Sequence, residues 1–158
     1  QVVRRLCQLR ASVDAVNQSG ASPLYMASQA GSLDAMRTLC EWGACPNLAK
    51  QGGATPLHIA AQRGHTVAVQ HLCEAGAEKD AVLGEASETF AREDKPMLDG
   101  ATPLILAAYH GHMEVAQCLF LAGADKEIES HGGFTAFQVA GVKRHREVSQ
   151  VLSITSVW

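Results

Sequence analysis

Four segments of this chain repeat one another in register. GASPLYMASQAGS begins at Gly20, GATPLHIAAQRGH at Gly53, GATPLILAAYHGH at Gly100 and GFTAFQVAGVKRH at Gly133. The intervals are 33, 47 and 33 residues, so the middle one is a period of 33 carrying an insertion of 14. A second block keeps the same register: LCEWGACPN, LCEAGAEKD and LFLAGADKE begin at Leu39, Leu72 and Leu119, and LCQLRASVD from Leu6 is a further, partial copy. A fixed period of this length belongs to solenoids, in which each unit is one supersecondary element that buries its apolar face only by stacking on the next.

The unit itself is legible. Thr55 stands before Pro56, a good helix start, because the hydroxyl caps free N–H groups and proline is at home in the first turn. Ser22 before Pro23 and Thr102 before Pro103 repeat the arrangement. Leu57, Ala60 and Ala61 fall on one face of this first helix, which Gly64 ends. Val67, Val69, Leu72 and Cys73 are the apolar positions of a second helix ended by Gly76, and an extended turn leads to the next unit. Helices of two to three turns are unstable alone in water, so stacking is obligatory.

A 33-residue helix-turn-helix with T-P-L-H and G-A at fixed places resembles the ankyrin repeat, and the resemblance runs from about Val2 to Ser153. It implies an all-α fold: an ankyrin-repeat solenoid with extended hairpin-like turns, of about four repeats plus a partial N-terminal one. The chain is read as one domain, 1–158, made of a partial repeat 1–19 and repeats 20–52, 53–99, 100–132 and 133–158. The second full repeat carries the insertion near 84–97, GEASETFAREDKPM, whose charge and few apolar groups predict a protruding loop, with a short helix over about 87–92 as one alternative. The last copy has Ala136 for the proline, Gly141 for the second alanine and Arg144 for the inter-helix glycine, which suits a cap with Lys143, Arg144 and Arg146 on an outer face. The first copy starts inside a second helix with Val2, Val3 and Leu6 uncovered, so a fragment of a longer protein or a partner-covered end is expected.

Composition restricts the chemistry. Aromatics are only 5% against 47% apolar residues, so the core is made of small side chains packed closely. A net charge of -3 and a sequence pI near 6.2 argue against nucleic acid as partner, and the basic ends, Arg4, Arg5 and Arg10 against Lys143, Arg144 and Arg146, lie at opposite ends of the stack. No apolar run reaches the roughly 18 residues of a membrane span. No leader is visible before Gln1, and an organelle after leader removal stays open.

Seven histidines and five cysteines raise the question of metal or thiol chemistry. Cys7, Cys40 and Cys73 lie 33 residues apart in one row, and stacked helices roughly 8–10 Å apart keep such thiols beyond disulfide reach, so they are read as core. Cys45 and Cys118 lie outside the row. Reduced cysteines imply an intracellular, reducing compartment, most simply the cytoplasm. By the resemblance His58 bonds the adjoining turns, while Tyr25, Ile105 and Gln138 replace it elsewhere; His65 and His112 follow the inter-helix glycine and are read as structural. His110 and His112 have weak metal spacing. No phosphate loop, HExxH or catalytic triad is present, so no catalytic residue, cofactor or metal is assigned.

The resemblance implies a concave surface built from the turns and the ends of the first helices. Carried over by position, it implicates Gln18, Ser19, Ala21, Gln51, Gly52, Ala54, Leu98, Asp99, Ala101, His131 and Phe134 of the turns, and Gln29, Gln62, Arg63, Tyr109, His110 and Lys143 of the helix ends. Gln29, Gln62, Arg63, Leu98, Asp99, Tyr109, His110, His131, Phe134 and Lys143 are the candidate partner-binding residues, with Tyr109, Arg63 and Phe134 as anchors. Trp42 and Trp158 are candidates for an interface or for local packing. The function so implied is a non-catalytic protein-interaction module or scaffold, holding a protein partner or sitting as a fixed subunit of a larger assembly. The alternative is the regulatory or targeting domain of a longer enzyme.

Overall fold

A computed structural model describes residues 12–84 and 95–153. The partial first copy with Cys7, the expected helix near 87–92 and Trp158 lie outside the described residues. Each repeat supplies a pair of helices: α1 (Pro23–Gln29) with α2 (Leu33–Glu41), α3 (Pro56–Arg63) with α4 (Thr66–Glu74), α6 (Pro103–His110) with α7 (Met113–Leu121), and α8 (Ala136–Val142) with α9 (Arg146–Ser153). The short α5 (Lys95–Leu98) belongs to the insertion. No strand occurs among the described residues. The chain is the all-α ankyrin solenoid that the repeats imply.

Local chemistry starts and stops each first helix as expected. Ser22, Thr55, Thr102 and Thr135 each accept a hydrogen bond from the backbone N–H three residues on, at 3.1, 3.4, 3.3 and 3.3 Å. At the other end the N–H groups of Ser32, His65, His112 and His145 reach back to the carbonyls of Ala27, Ala60, Ala107 and Ala140 at 2.9–3.0 Å. That closure needs a left-handed residue just before, supplied by Gly31, Gly64 and Gly111.

The first helices α1, α3, α6 and α8 pack side by side in one layer, and α2, α4, α7 and α9 form the second. Leu24, Leu57, Leu104, Met36, Leu72 and Leu119 are buried between them, and Ala60, Ala61, Ala107 and Ala108 allow the close approach. One sequence expectation is corrected: Val67 is 56% exposed, and the buried stripe of α4 is Ala68, Val69 and Leu72. Over nine residues a shift of one position still fits the helical period, and contact with α2 and α7 decides it.

Three sets of polar contacts join successive repeats. The ring Nε2 of His65, His112 and His145 donates to the last-turn carbonyls of Gln29, Gln62 and Tyr109 in the preceding first helix, at 3.2, 3.1 and 3.1 Å. Each ring rests on the inter-helix glycine of that repeat: a Cβ on Gly31, Gly64 or Gly111 would lie 2.9, 2.8 or 2.6 Å from it. On the turns, the N–H groups of Gln51, Gly84 and His131 donate to the carbonyls of Ser19, Gly52 and Asp99 at 3.4, 3.0 and 2.8 Å. Beyond the second helices, side-chain oxygens of Asp14, Asn47 and Asp80 accept from the N–H groups of Cys45, Glu78 and Asp125 at 3.1, 2.8 and 2.9 Å.

Arg144 departs from this scheme in an informative way. It keeps the left-handed backbone, φ 62°, because the bond from His145 to Ala140 still demands it. Its side chain is tolerated because no imidazole from a further repeat rests there among the described residues. Residue 144 therefore meets the backbone requirement with no ring seated on it among the described residues.

The turn contacts place the insertion at 85–98, since Gly84 holds the register position of Gln51, and Asp99 that of Gly52. The expectation that it protrudes down to residue 97 is corrected at its C-terminal end. Leu98 is 0% exposed and Met97 is buried, both within the apolar cluster that includes Ile105 and Leu106. Leu98 is therefore not a partner-binding residue: an apolar side chain next to the buried Ile105 gains more from the core than from solvent, at about 25 cal/mol per Å².

Two stability predictions follow from this packing. Gly111→Ala should destabilise by about 2–4 kcal/mol, from left-handed strain plus overpacking against His145, whereas Arg144→Gly at the same register should stabilise by about 0.5–1 kcal/mol; urea unfolding of both checks this, and a loss at Gly111 no larger than the gain at Arg144, which left-handed strain alone gives, would deny the imidazole contact any weight. Leu98→Ala should cost about 2–4 kcal/mol, read in the same way, and a loss under about 0.5 kcal/mol would return Leu98 to the surface.

Candidate protein-binding face

The exposed rim of the first helices brings several sequence-predicted residues together. Arg63 and His110 hold one register position in successive repeats, and Lys143 the next. Lys143 Nζ lies 4.2 Å from the centroid of the Tyr109 ring. The Tyr109 and His110 rings meet edge to face at 4.9 Å, and His110 stacks on His112 at 5.9 Å. On the N-terminal side Arg63 acts electrostatically on Tyr25, over which Lys50 sits at 5.5 Å from the ring centroid. Burial, and electrostatic interaction with His112, His145, Lys143 and Arg63, push the His110 pKa down from its ordinary value.

The other candidates separate from this strip. Gln29 and Gln62 are half-buried, and their carbonyls are taken by the histidines of the next repeat. Phe134 packs half-buried against the core, with its N–H on Ser130 Oγ at 3.3 Å, which weakens it as an anchor. His131 is exposed, and its ring lies over Gly100, where a Cβ would be 2.4 Å away. Asp99 is half-buried, and its Oδ1 has no hydrogen-bond partner among the described residues. Trp42 is 46% exposed at the end of α2, on the other layer.

Sequence reasoning missed Met26, which is 48% exposed in α1. Ile59 and Leu106 hold the same register and are buried, Ile59 in a cluster with Tyr25 and Leu106 in the core that takes in Leu98. Comparing the three positions in sequence gives only three apolar residues; exposure depends on what the neighbouring turn brings over them.

His58, Cys40, Cys73 and Cys118 serve the frame. His58 Nε2 donates to the Ala101 carbonyl at 3.2 Å, so its Nδ1 is the acceptor, taking the Thr55 N–H at 3.2 Å and standing 2.8 Å from the Thr55 hydroxyl. Burial lowers its pKa to about 4, against the raising effect of the bonds to Ala101 and Ala81. Cys40, Cys73 and Cys118 are half-buried rather than fully buried. Burial raises all three thiols, Cys73 to about 11, with Cys118 and Glu74 adding to the rise and Lys79 opposing it. Such thiols are poor nucleophiles. Among the described residues no group of three His, Cys, Asp or Glu side chains is placed to hold a metal ion, and no helix is long and apolar enough to cross a membrane.

Two family profiles match the sequence: ankyrin repeats in three copies over residues 1–82, and an ankyrin repeat over residues 99–130. The chain belongs to the ankyrin-repeat family. The two matches stand on either side of the insertion. No curated protein matches the chain.

The His58 environment gives a pH prediction. In the unfolded chain the ring titrates near 6.5 and in the folded one near 4, so below pH 6.5 the unfolded state takes up a proton that the native state refuses. Stability present above that pH should be lost as pH falls towards 4, by on the order of 3 kcal/mol from this residue. His58→Gln, the residue that closes the equivalent box as Gln138, should flatten the profile between pH 4 and 6.5; an unchanged slope would assign the acid sensitivity elsewhere.

Proposed function

We propose that this chain is a non-catalytic interaction module, held in a larger assembly through a partner protein bound on the first-helix rim. Ankyrin repeats are in general protein-interaction modules, and the observation that carries the reading here is a contrast between frame and rim. Frame positions hold the same kind of residue in every repeat, as at Leu39, Leu72, Leu119 and Leu152, all buried. At the rim, one register position runs Gln29, Gln62, Tyr109 and Val142, and the next runs Ala30, Arg63, His110 and Lys143. No packing requirement demands that succession, whereas recognition does. Tyr109 and Arg63 are the anchors, an aromatic held by two neighbours and a guanidinium with a rigid fork.

Alanine at the exposed Arg63 should leave the unfolding midpoint nearly unchanged, within about 0.5 kcal/mol, while alanine at Tyr109, half-buried against the core, should cost about 1–2 kcal/mol and leave the chain folded. Each should weaken binding of a genuine partner by more than 1 kcal/mol. Glu114→Ala, exposed on α7 in the other layer, is the control. Quantitative capture from native extract with the three variants as bait would check this. A protein held by wild type and Glu114→Ala but released by the rim variants supports the reading, and loss at Glu114 with the rim variants silent would move the interface to the second-helix layer.

A further inference from the structure

Charge is segregated between the two layers. The first helices α1, α3, α6 and α8 contain no Asp or Glu, although the chain carries 16 acidic residues against 13 Lys and Arg. The second helices hold Asp34, Glu41, Glu74, Glu114 and Glu147 against Arg37 and Arg146, a net acidic layer. His110 lies at the middle of the rim, and the groups acting on it from α3, α7 and the segment after α8 are Arg63, His112, Lys143 and His145. None of these is a carboxylate. Next to them the inter-helix turn opens a cleft of about 300 Å³ lined by Gly111, Arg144, His145, Arg146, Glu147 and Val148, which extends the positive strip past the end of α8 with one acid at its far side.

Helix capping does not account for this grouping. Cations near a helix C-terminus are ordinarily placed by the dipole and the free carbonyls there. Here the carbonyls of Gln62 and Tyr109 already accept from His112 and His145, and the turn N–H groups close the ends of α3 and α6. Side-by-side positive groups repel, and their mutual cost falls when an anion sits among them. A single-stranded nucleic acid is a poor match, because Lys143 covers one face of the Tyr109 ring and His110 meets it edge to face, which leaves no row of open aromatic faces for successive bases. The acidic second layer would also repel a nucleic acid wrapping beyond the rim.

Accepting the rim as the partner-binding face, we infer that the strip of Arg63, Lys143 and Arg144 beside Tyr109 and His110 seats a carboxylate-rich peptide segment of the partner protein. Carboxylates pair with the Arg63 and Arg144 guanidinium forks, which match their planar geometry. An apolar residue between them rests on Tyr109 and the Lys143 stem.

The test uses the full chain and a fluorescein-labelled dodecapeptide of repeated Glu-Asp-Leu, followed by anisotropy in low and moderate salt. Binding that weakens with salt, falls at least fivefold in Arg63→Gln and in Lys143→Gln, and is unchanged in Arg37→Gln on the second layer supports the inference. The double charge reversal Arg63→Glu with Lys143→Glu should exchange the acidic peptide for its Lys-for-acid counterpart, which a merely structural role would not produce. No binding, equal loss at Arg37, or equal binding of the Gln-Asn-Leu peptide or of a twelve-nucleotide oligothymidine would overturn it. If native partners are released by the rim variants while the acidic peptide never binds, the acidic chemistry is wrong and the interaction face stands. If the acidic peptide binds as described and no native partner depends on the rim, the interaction reading is the one that fails.

Discussion

A helix of seven to nine residues closes too few backbone hydrogen bonds to offset the cost of its own nucleation, and the repeat helices here are seven to nine residues long. Everything else rests on contacts between one repeat and the next. Leucine and alanine burial supplies most of the attraction, yet it is non-directional and would tolerate some sliding. The imidazole seated on a glycine removes that freedom. The ring of His65, His112 or His145 has one carbonyl to bond and one gap to fill, and the gap exists only because the residue beneath has no Cβ. The same glycine turns the chain from first helix to second, so one atom's absence fixes both the inside of a repeat and its spacing to the next.

Such a frame makes few demands on the exposed side chains of the first-helix rim. The side chains of Arg63, His110 and Lys143 are not needed to end their helices, because backbone groups and histidines of the next repeat satisfy those ends. Positions without a packing role can vary in charge and size at little cost in stability. The rim accordingly holds four different residues at one register position, Ala30, Arg63, His110 and Lys143, while Leu39, Leu72, Leu119 and Leu152 in the second helices remain constant.

Much of this was legible from the sequence because repetition acts as an internal control. Thr-Pro starts, glycine ends and the leucine positions recur, and each recurs in the structure with the expected bond. Reading failed where repetition gave no help. Val67 was taken for a core residue because a nine-residue helix accommodates two apolar stripes one position apart, and only α2 and α7 choose between them. Leu98 belongs to the insertion, so no other repeat contains its equivalent, and burial against Ile105 and Leu106 could not be inferred from composition that is otherwise charged. The exposure of Met26 failed for a related reason: cover over a first helix comes from residues distant in sequence.

The insertion shows how a repeat array accepts irregularity. It enters after Gly84 and returns at Asp99, and both of these residues keep the turn bonds their counterparts make, Gly84 to Gly52 and Asp99 from His131. The ladder between repeats is therefore unbroken, and the added chain costs mainly loop-closure entropy, which grows only slowly with length. Leu98 offsets part of that cost by entering the core one residue before the ladder resumes. An insertion anchored so close to the register point cannot pull the following repeat out of line, which is why the contacts His112 makes with Gln62 and Gly64 match those of His65 with Gln29 and Gly31 despite the 14 extra residues between them.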